Sequence, residues 1–306
     1  MILKTLKLSS IIIILTSLLL LSGCSGGGSV DDATAHNFKQ GVGNLAVRLL
    51  PNAPPDKIYP ESKFKIVVEV DNQMAYDAHN GQVSIWGLED NYFLLDTEQM
   101  AFDTLVGKGL LTPLGDKSYL EFPAISGKIF QNAEEYINPF YLMTEFDSEI
   151  EFSDTLCINP DLYAVYNSGC KVDEQKSYPG QGGVLAITKL EEIIYPDDRG
   201  GEVEFRLLLQ NRGKGKIKGE VRLLSSELGG KNINCRFHSG VGIEESVTFK
   251  EDKQDAILTC KDFIKGSNSY TTTLYLKLAY HYEQEDLRQL RLINPGKITS
   301  SGFSFS

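Results

Sequence analysis

Hydrophobic and polar residues alternate along many short segments of the chain. In KFKIVVEVDNQ, four apolar side chains fall on one side of an extended backbone, at Phe64, Ile66, Val68 and Val70. A period of two with one apolar side is typical of a half-buried β-strand. A loop rich in Asn, Asp and Gly follows, and QVSIWGL then predicts a second strand with Val83 facing inward. The two segments together predict a hairpin.

The same pattern recurs 139 residues later, in EVEFRLLLQNRGKGKIKGEVRLLSS. Apolar residues alternate there from Val203 to Leu209, and Asn211 stands two positions after the last of them. Asn72 has the same position after Val70 in the first copy. A shared Asn at the strand end, followed by a loop of similar length, indicates a duplication. The sequence therefore predicts two homologous domains in tandem.

Further alternating segments fill both halves, and no long segment has the 3.6-residue period of a capped helix. QNAEEYI is compatible with one short helix at most. The apolar positions of 270–282 predict one long strand, and EQED at 283–286 predicts a hairpin turn into LRQLRLI. Many short strands separated by turns favour an all-β fold. We expect two tandem antiparallel immunoglobulin-like β-sandwich domains.

The N-terminus has the features of an export signal. Lys4 and Lys7 precede an apolar run at 8–21, which is short for a membrane span and suits the hydrophobic region of a signal peptide. The sequence Leu-Ser-Gly-Cys that ends at Cys24 resembles the prokaryotic lipobox, which implies lipid on the Cys24 thiol and cleavage before it. An ordinary secreted protein with an incidental Cys24 and an uncleaved anchor helix are the alternatives.

These features divide the chain into six predicted parts. Residues 24–40 have no apolar period and are rich in Gly and Ser at their start, which is typical of a flexible tether. The predicted parts are a lipoprotein signal peptide at 1–23, a tether at 24–40, a first sandwich at 41–158, a loop and linker pinned by a disulfide at 159–182, a second sandwich at 183–298 and a tail at 299–306.

Charge and cysteine content narrow the class of protein. The net charge of −11 argues against nucleic-acid binding, which needs basic clusters. Apart from Cys24, the chain has an even number of cysteines, Cys157, Cys170, Cys235 and Cys260, and in an exported chain these suggest disulfides. Four cysteines allow three pairings, and we favour Cys157 with Cys170 and Cys235 with Cys260, because each pair lies within one candidate domain. A zinc site is the alternative, but no C-x-x-C spacing supports it.

Residues that could carry catalysis or bind a metal are few. The four histidines, His36, His79, His238 and His281, are scattered, and there is no G-x-S-x-G motif. Asp77 and His79 could bind a metal, although turn chemistry explains the Asp, Asn and Gly of that segment without one. We therefore predict no catalytic residue, no cofactor and no metal, and expect that the protein is not an enzyme.

Three other features bear on binding. Trp86 is predicted to be a core residue of the first hairpin, whereas Tyr275 is expected to be exposed. The second hairpin predicts an exposed basic tip that could contact lipid headgroups or an acidic partner. The basic residues of this tip are Arg212, Lys214, Lys216 and Lys218.

The hairpin pattern V-x-F-x-L-x-L-x-N-x-G-x-G resembles the CARDB-like branch of immunoglobulin-like domains, which are common in archaeal and bacterial surface proteins. The phrases LPNAPPDKIY, LCINPD and GQGGVLAIT make the mature chain similar to uncharacterised surface proteins of archaea. The resemblance implies a β-sandwich fold and a cell-surface location, and it carries no established activity.

The sequence thus predicts an extracytoplasmic protein held to the membrane through lipid on Cys24. Its expected role is that of a non-catalytic binding, adhesion or structural module with a protein or glycan partner in the cell envelope. An accessory subunit of an envelope or secretion complex is the alternative and would show an exposed apolar patch. A surface hydrolase or a solute-binding protein would instead show a deep cleft with converging polar groups.

Overall fold

The computed structural model describes residues 38–130, 133–161, 169–197, 199–239, 242–266 and 268–296. Every regular secondary-structure element in these ranges is a β-strand, which confirms the predicted all-β class. The strands are β1 (Leu45–Leu49), β2 (Lys63–Asn72), β3 (His79–Trp86), β4 (Phe93–Leu95), β5 (Gln99–Phe102), β6 (Lys117–Ser126), β7 (Glu135–Ile158), β8 (Gln175–Ser177), β9 (Leu185–Asp197), β10 (Gly200–Asn211), β11 (Lys216–Leu228), β12 (Lys231–Asn232), β13 (Asn234–Ser239), β14 (Gly242–Glu244), β15 (Ser246–Thr248), β16 (Asp255–Lys265) and β17 (Tyr270–Ile293).

The strands form three antiparallel sheets. The first half of the chain builds a four-stranded sheet in the order β1-β2-β6-β4, and the second half builds a six-stranded sheet in the order β14-β13-β16-β10-β9-β8. The third sheet takes strands from both halves, in the order β12-β11-β17-β7-β3-β5, with β15 also paired to β11. Each half is therefore a two-sheet sandwich, and the third sheet, here called the shared sheet, joins them.

The shared sheet is held together by its two longest strands. β7 and β17 each have 24 residues and pair antiparallel along their whole length, from Tyr270 opposite Ile158 to Ile293 opposite Glu135. Alternate residues on both strands are buried, including Phe152 and its cross-strand partner Leu276. Such aromatic–aliphatic pairs on one face stabilise adjacent strands.

Two local predictions are wrong because of this pairing. The segment EQED does not form a hairpin turn, since β17 continues through it and stays paired with β7. Two of its polar side chains have partners on other strands: Gln284 donates to the carbonyl oxygen of Leu45 on β1 at 3.1 Å, and Glu283 lies 3.9 Å from Lys218 on β11. The end of QNAEEYI is the start of β7 and not part of a helix.

The repeated Asn makes the same turn in both halves. The side-chain oxygen of Asn72 accepts from the backbone N–H of Met74 at 3.0 Å, and its amide donates to the carbonyl of Tyr76 at 2.9 Å. Asn211 makes the equivalent bonds, at 2.9 Å from the N–H of Gly213 and 2.7 Å to the carbonyl of Gly215. In each case the side chain bonds to residues two and four positions later, which supports the predicted duplication.

One continuous hydrophobic core links the sheets. It contains fully buried side chains from each sheet, such as Ile66 on β2, Leu207 on β10 and Leu278 on β17. All described residues belong to one compact unit. The predicted domain boundaries at residues 158 and 183 therefore stay a prediction, while the two sandwiches and the sheet that they share are observed.

Two disulfides are present, between Cys157 and Cys170 and between Cys235 and Cys260. They are the two pairs that the sequence favours. Cys235 and Cys260 lie directly opposite each other on β13 and β16, so this bond crosses two neighbouring strands. Among the described residues there is no helix long and apolar enough to cross a membrane. The predicted signal peptide, Cys24, His36, most of the tether and the predicted tail lie outside them.

Candidate binding site

Four polar side chains line up across the middle of the shared sheet. Reading from β3 to β11, the opposed residues are His79, Asp147, His281 and Lys218. They stand on the face of the sheet opposite the core, which we call the outer face. His79 and Lys218 are 139 residues apart, as are Asn72 and Asn211, so they occupy equivalent positions in the two halves.

The row lies at the centre of the shared sheet, where strands of the two halves meet. β7 and β17 are the two inner strands of this sheet, and β3 and β11 lie next to them on either side. Asp147 on β7 pairs with His281 on β17 at the midpoint of these two strands. The site is therefore assembled from both halves, and neither half contains it alone.

A β-bulge flanks the row on each side. The pairing of β3 with β7 shifts register between His79 and Gln82, and the pairing of β11 with β17 shifts between Lys218 and Arg222. Asn80 and Gly219 have positive φ angles of 49° and 66° at these bulges, the latter at a glycine, which adopts such a conformation readily. Bulges bend a strand and redirect side chains, and they are common next to functional sites.

The two bulges border a shallow cleft of about 300 Å³ on the outer face. Its lining residues come from β3, β7, β11 and β17 and include both acids and bases. They are His79, Asn80, Asp147, Ser148, Glu149, Glu220, Arg222, Ala279, Tyr280 and His281. A cleft of this composition suits a polar partner that carries groups of both charges or many hydrogen-bonding groups.

Asp147 is the central hydrogen-bond acceptor of the cleft. Its carboxylate accepts from the amide of Asn80 at 2.9 Å and from Nδ1 of His281 at 2.8 Å. Partial burial acts to raise the pKa of Asp147, but the hydrogen bonds from Asn80 and His281, with the nearby charges of His281 and Arg222, outweigh it and leave the pKa below its usual value. Asp147 is therefore an anion that fixes the orientation of the His281 ring.

The second ring nitrogen of His281, Nε2, lies 3.8 Å from a carboxylate oxygen of Glu145. A histidine oriented by a carboxylate is also a feature of hydrolytic sites, where it activates a neighbouring hydroxyl. The one hydroxyl on β7 beside it, that of Ser148, donates instead to the backbone carbonyl of Asp77 at 2.8 Å and is buried. The Ser148 hydroxyl is therefore not placed as a nucleophile for His281.

An aromatic pair lies on the outer face, away from the cleft. Trp86 on β3 and Tyr141 on β7 are opposed and stacked, with ring centroids 4.7 Å apart, and they are 45% and 37% exposed. The prediction that Trp86 is a core residue is wrong, because Ile85 takes the inward position on β3 and the alternation turns Trp86 outward. Tyr141 is six residues from Asp147 along β7, or roughly 20 Å. Exposed Trp and Tyr are common anchors of protein interfaces.

The other residues suggested by the sequence do not converge. Asp77 accepts a hydrogen bond from the backbone N–H of Gly107 at 2.8 Å, and His79 lies 3.1 Å from the Thr104 hydroxyl. Both side chains therefore contact the loop that follows β5. In the ranges that the structure covers, no three His, Cys, Asp or Glu side chains are grouped as a metal site. His238 lies on β13 in the six-stranded sheet, away from the cleft.

The basic hairpin tip is only partly an exposed basic surface. Lys218 belongs to the row described above and lies 3.3 Å from Glu251 and 3.9 Å from Glu283. Tyr275 is partly exposed on the outer face of β17 and lies near Glu151, with burial raising the pKa of its hydroxyl. Of the four basic residues of the tip, Lys218 is part of the row and partly buried, while the other three are exposed.

No protein-family model and no curated protein matches the chain. Among solved structures, the YadV chaperone is 9% identical, covering 80% of this chain and 99% of its own, with a TM-score of 0.20. The periplasmic chaperone SfaE is 12% identical, covering 53% of this chain and 92% of its own, also with a TM-score of 0.20. The collagen adhesin CNA from S. aureus is 9% identical, covering 85% and 98%, with a TM-score of 0.11. At such TM-scores these similarities support no statement about function.

Proposed function

We propose that this chain is a lipid-anchored binding protein of the cell envelope that engages a protein partner through the outer face of the shared sheet. The observation that carries the proposal is the cleft at Asp147 and His281, where side chains of both halves converge between two bulges. The stacked Trp86 and Tyr141 add an apolar anchor on the same face. Trp, Tyr and Arg are enriched among the residues that dominate binding energy at protein interfaces.

The extracytoplasmic location is supported by the two disulfides, which form and persist in oxidising compartments. The lipid anchor itself is proposed from the lipobox-like sequence that ends at Cys24. Two acyl chains would hold a protein stably at a membrane, since each buried methylene contributes about 0.8 kcal/mol. Mass spectrometry of the mature N-terminus should find lipid on Cys24, and an unmodified peptide that begins elsewhere would contradict the anchor.

The relationship to CARDB-like modules is likewise a proposal. It is supported by the two-sheet sandwich in each half and by the Asn turn that follows β2 and β10 in the same geometry. The shared sheet would make the two modules of this chain one rigid binding body.

Site-specific photo-crosslinking in native membranes tests the binding face. A photoreactive amino acid in place of Met143, on the outer face between the aromatic pair and the cleft, should capture a defined partner. The same amino acid at Lys65, on β2 of the four-stranded sheet, is the matched control and should not. Capture at Met143 should also fall when Asp147→Lys reverses the central charge of the cleft. Equal capture at both positions, or capture that Asp147→Lys leaves unchanged, would refute the proposed face, and a captured glycan would replace the protein partner.

A further inference from the structure

The loop between β5 and β6 exposes three leucines to solvent. Leu110, Leu111 and Leu114 are 60%, 97% and 77% exposed. Single exposed leucines are common on protein surfaces, but three within five residues form a contiguous apolar tip. Lys108 stands at the base of this tip on the N-terminal side.

The loop is built to hold these leucines outward. The backbone N–H groups of Gly109 and Gly115 donate to the carbonyl of Thr112 at 3.1 and 3.0 Å, and the Thr112 hydroxyl donates to the carbonyl of Gly107 at 2.7 Å. Gly115 has a φ of +72°, and a Cβ there would lie 1.9 Å from the carbonyl oxygen of Asn72. The loop is therefore pinned to the Asn72 turn in one conformation, and the exposure of its leucines is part of that conformation.

The equivalent connection in the second half shows that the fold does not require an apolar loop. β5 pairs with β3 as β15 pairs with β11, and each is followed by the strand that returns to the other sheet. The connection has 14 residues in the first half, at 103–116, and six in the second, at 249–254. The shorter one reads FKEDKQ and is mostly charged. The leucines thus belong to an extension present in one half only.

The apolar loop lies beside the point where the described chain begins. A Cβ on Gly182 would be 2.5 Å from the carbonyl oxygen of Phe38 and 2.7 Å from the Cβ of Ala75. A Cβ on Gly107, at the root of the loop, would be 2.7 Å from the backbone of the same Ala75. Phe38 and Gly107, at the root of the loop, therefore lie on either side of Ala75.

We infer that the loop of Leu110, Leu111 and Leu114 inserts into the lipid surface that holds the acyl chains of Cys24. The inference rests on the lipid anchor of the proposed function. Cys24 precedes Phe38 by 14 residues, so the chain between them reaches at most roughly 50 Å and keeps this end of the protein near the bilayer. Apolar side chains gain free energy on entering the bilayer interface, and a tethered loop does so without the entropic cost of reaching the membrane.

The insertion would orient the protein as well as attach it. One flexible attachment leaves a body free to rotate, whereas two attachments near each other hold one end of it against the membrane. Because the net charge of the chain is −11, attraction to anionic lipid does not explain such contact, and the leucines supply an apolar alternative. The contact should therefore depend little on ionic strength.

Fluorescence quenching on the full, lipid-modified chain in vesicles of zwitterionic phosphatidylcholine tests the inference. Leu111→Cys is labelled with an environment-sensitive fluorophore, and the quencher is a nitroxide on the acyl chain of a lipid. Leu94→Cys is the matched control, because Leu94 is also an exposed leucine, 55% exposed, on the same half. Leu94 pairs with Ile125 on β6. Ile125 is eight residues from Lys117, where the loop joins β6, so Leu94 lies roughly 26 Å from the loop.

The label at residue 111 should lose fluorescence to the nitroxide and shift to the blue, and the label at 94 should do neither. Adding Leu110→Ser and Leu114→Ser should reduce quenching at 111 to the level seen at 94. If the protein floats with the vesicles and mass spectrometry finds lipid on Cys24, but residue 111 is not quenched, the loop inference is overturned and the anchor stands. If unmodified protein still floats with residue 111 quenched, the loop inference stands and the anchor is contradicted. If the protein does not float, both are overturned.

Discussion

The shared sheet predicts that the two halves of the chain unfold together. Leu207 lies on β10 of the six-stranded sheet, in the second half, and is fully buried. Replacing a buried Leu by Ala removes its transfer free energy and leaves a cavity, at a cost of about 3 kcal/mol. For a body of this size, a loss of about 3 kcal/mol lowers the midpoint of thermal unfolding by about 6–12 °C.

The chain contains a single tryptophan, Trp86, and it lies in the first half. Its fluorescence therefore reports the unfolding of the first half, while far-ultraviolet circular dichroism reports the strands of both halves. In Leu207→Ala we expect both signals to shift by the same amount and to stay superimposable, because β7 and β17 transmit the loss. Leu111→Ala, at a 97% exposed position, is the control and should shift neither signal.

An unshifted Trp86 transition beside a shifted circular-dichroism transition would refute this reasoning. It would mean that the pairing of β7 with β17 contributes too little free energy to couple the sandwiches. The site at Asp147 and His281 would then open whenever either half unfolds, and a rigid binding face could not be maintained.

Three further predictions concern single features. Burial raises the pKa of Glu192 to about 7, so its stabilising contribution is full below pH 4.5 and is lost as the pH rises through 7. Glu192→Gln should therefore remove this pH dependence and increase the free energy of unfolding at pH 8 by at most about 3 kcal/mol. An unchanged dependence of the unfolding free energy on pH would contradict the assignment. Asn72→Ala removes three hydrogen bonds of a fully buried amide and should cost about 3 kcal/mol in denaturant unfolding, and a loss within error of zero would exclude the Asn turn as a stabilising element. Joint replacement of Cys157 and Cys170 by Ala should lower the free energy of unfolding by about 3 kcal/mol, because the disulfide restricts the conformations of the unfolded chain. In this variant, a reducing agent should have no further effect at that end of β7.

The sequence predicted the local parts of this fold well. The strands follow from alternation, and the Asn turn follows from the position of Asn72 and Asn211 after apolar strands, because these signals are carried by neighbouring residues. The disulfide pairs also followed from position, since each joins cysteines close in sequence. Local side-chain and backbone chemistry determines all of these features.

The candidate binding site could not be predicted in the same way. Asp147 and His281 are brought together by the pairing of two strands 134 residues apart, and no local pattern records which strand pairs with which. The same gap explains the wrong hairpin at EQED, whose polar residues looked like a turn but bond to Leu45 and Lys218 across the fold. One usable signal was present: β7 and β17 are both 24-residue alternating segments, and equal length favours pairing.

The positions at which the two halves differ indicate where function has been added to a duplicated fold. The two copies of a duplicated segment start with identical residues at equivalent positions. His79 and Lys218, which are 139 residues apart, hold different chemistry at the two ends of the row. At the centre of the row, Asp147 from the first half and His281 from the second form a hydrogen bond, whereas two identical acids there would repel each other. The apolar loop is a second difference, because the exposed leucines between β5 and β6 have no counterpart in the shorter connection of the second half. The proposed binding cleft and the proposed membrane contact thus both involve positions at which the two halves differ.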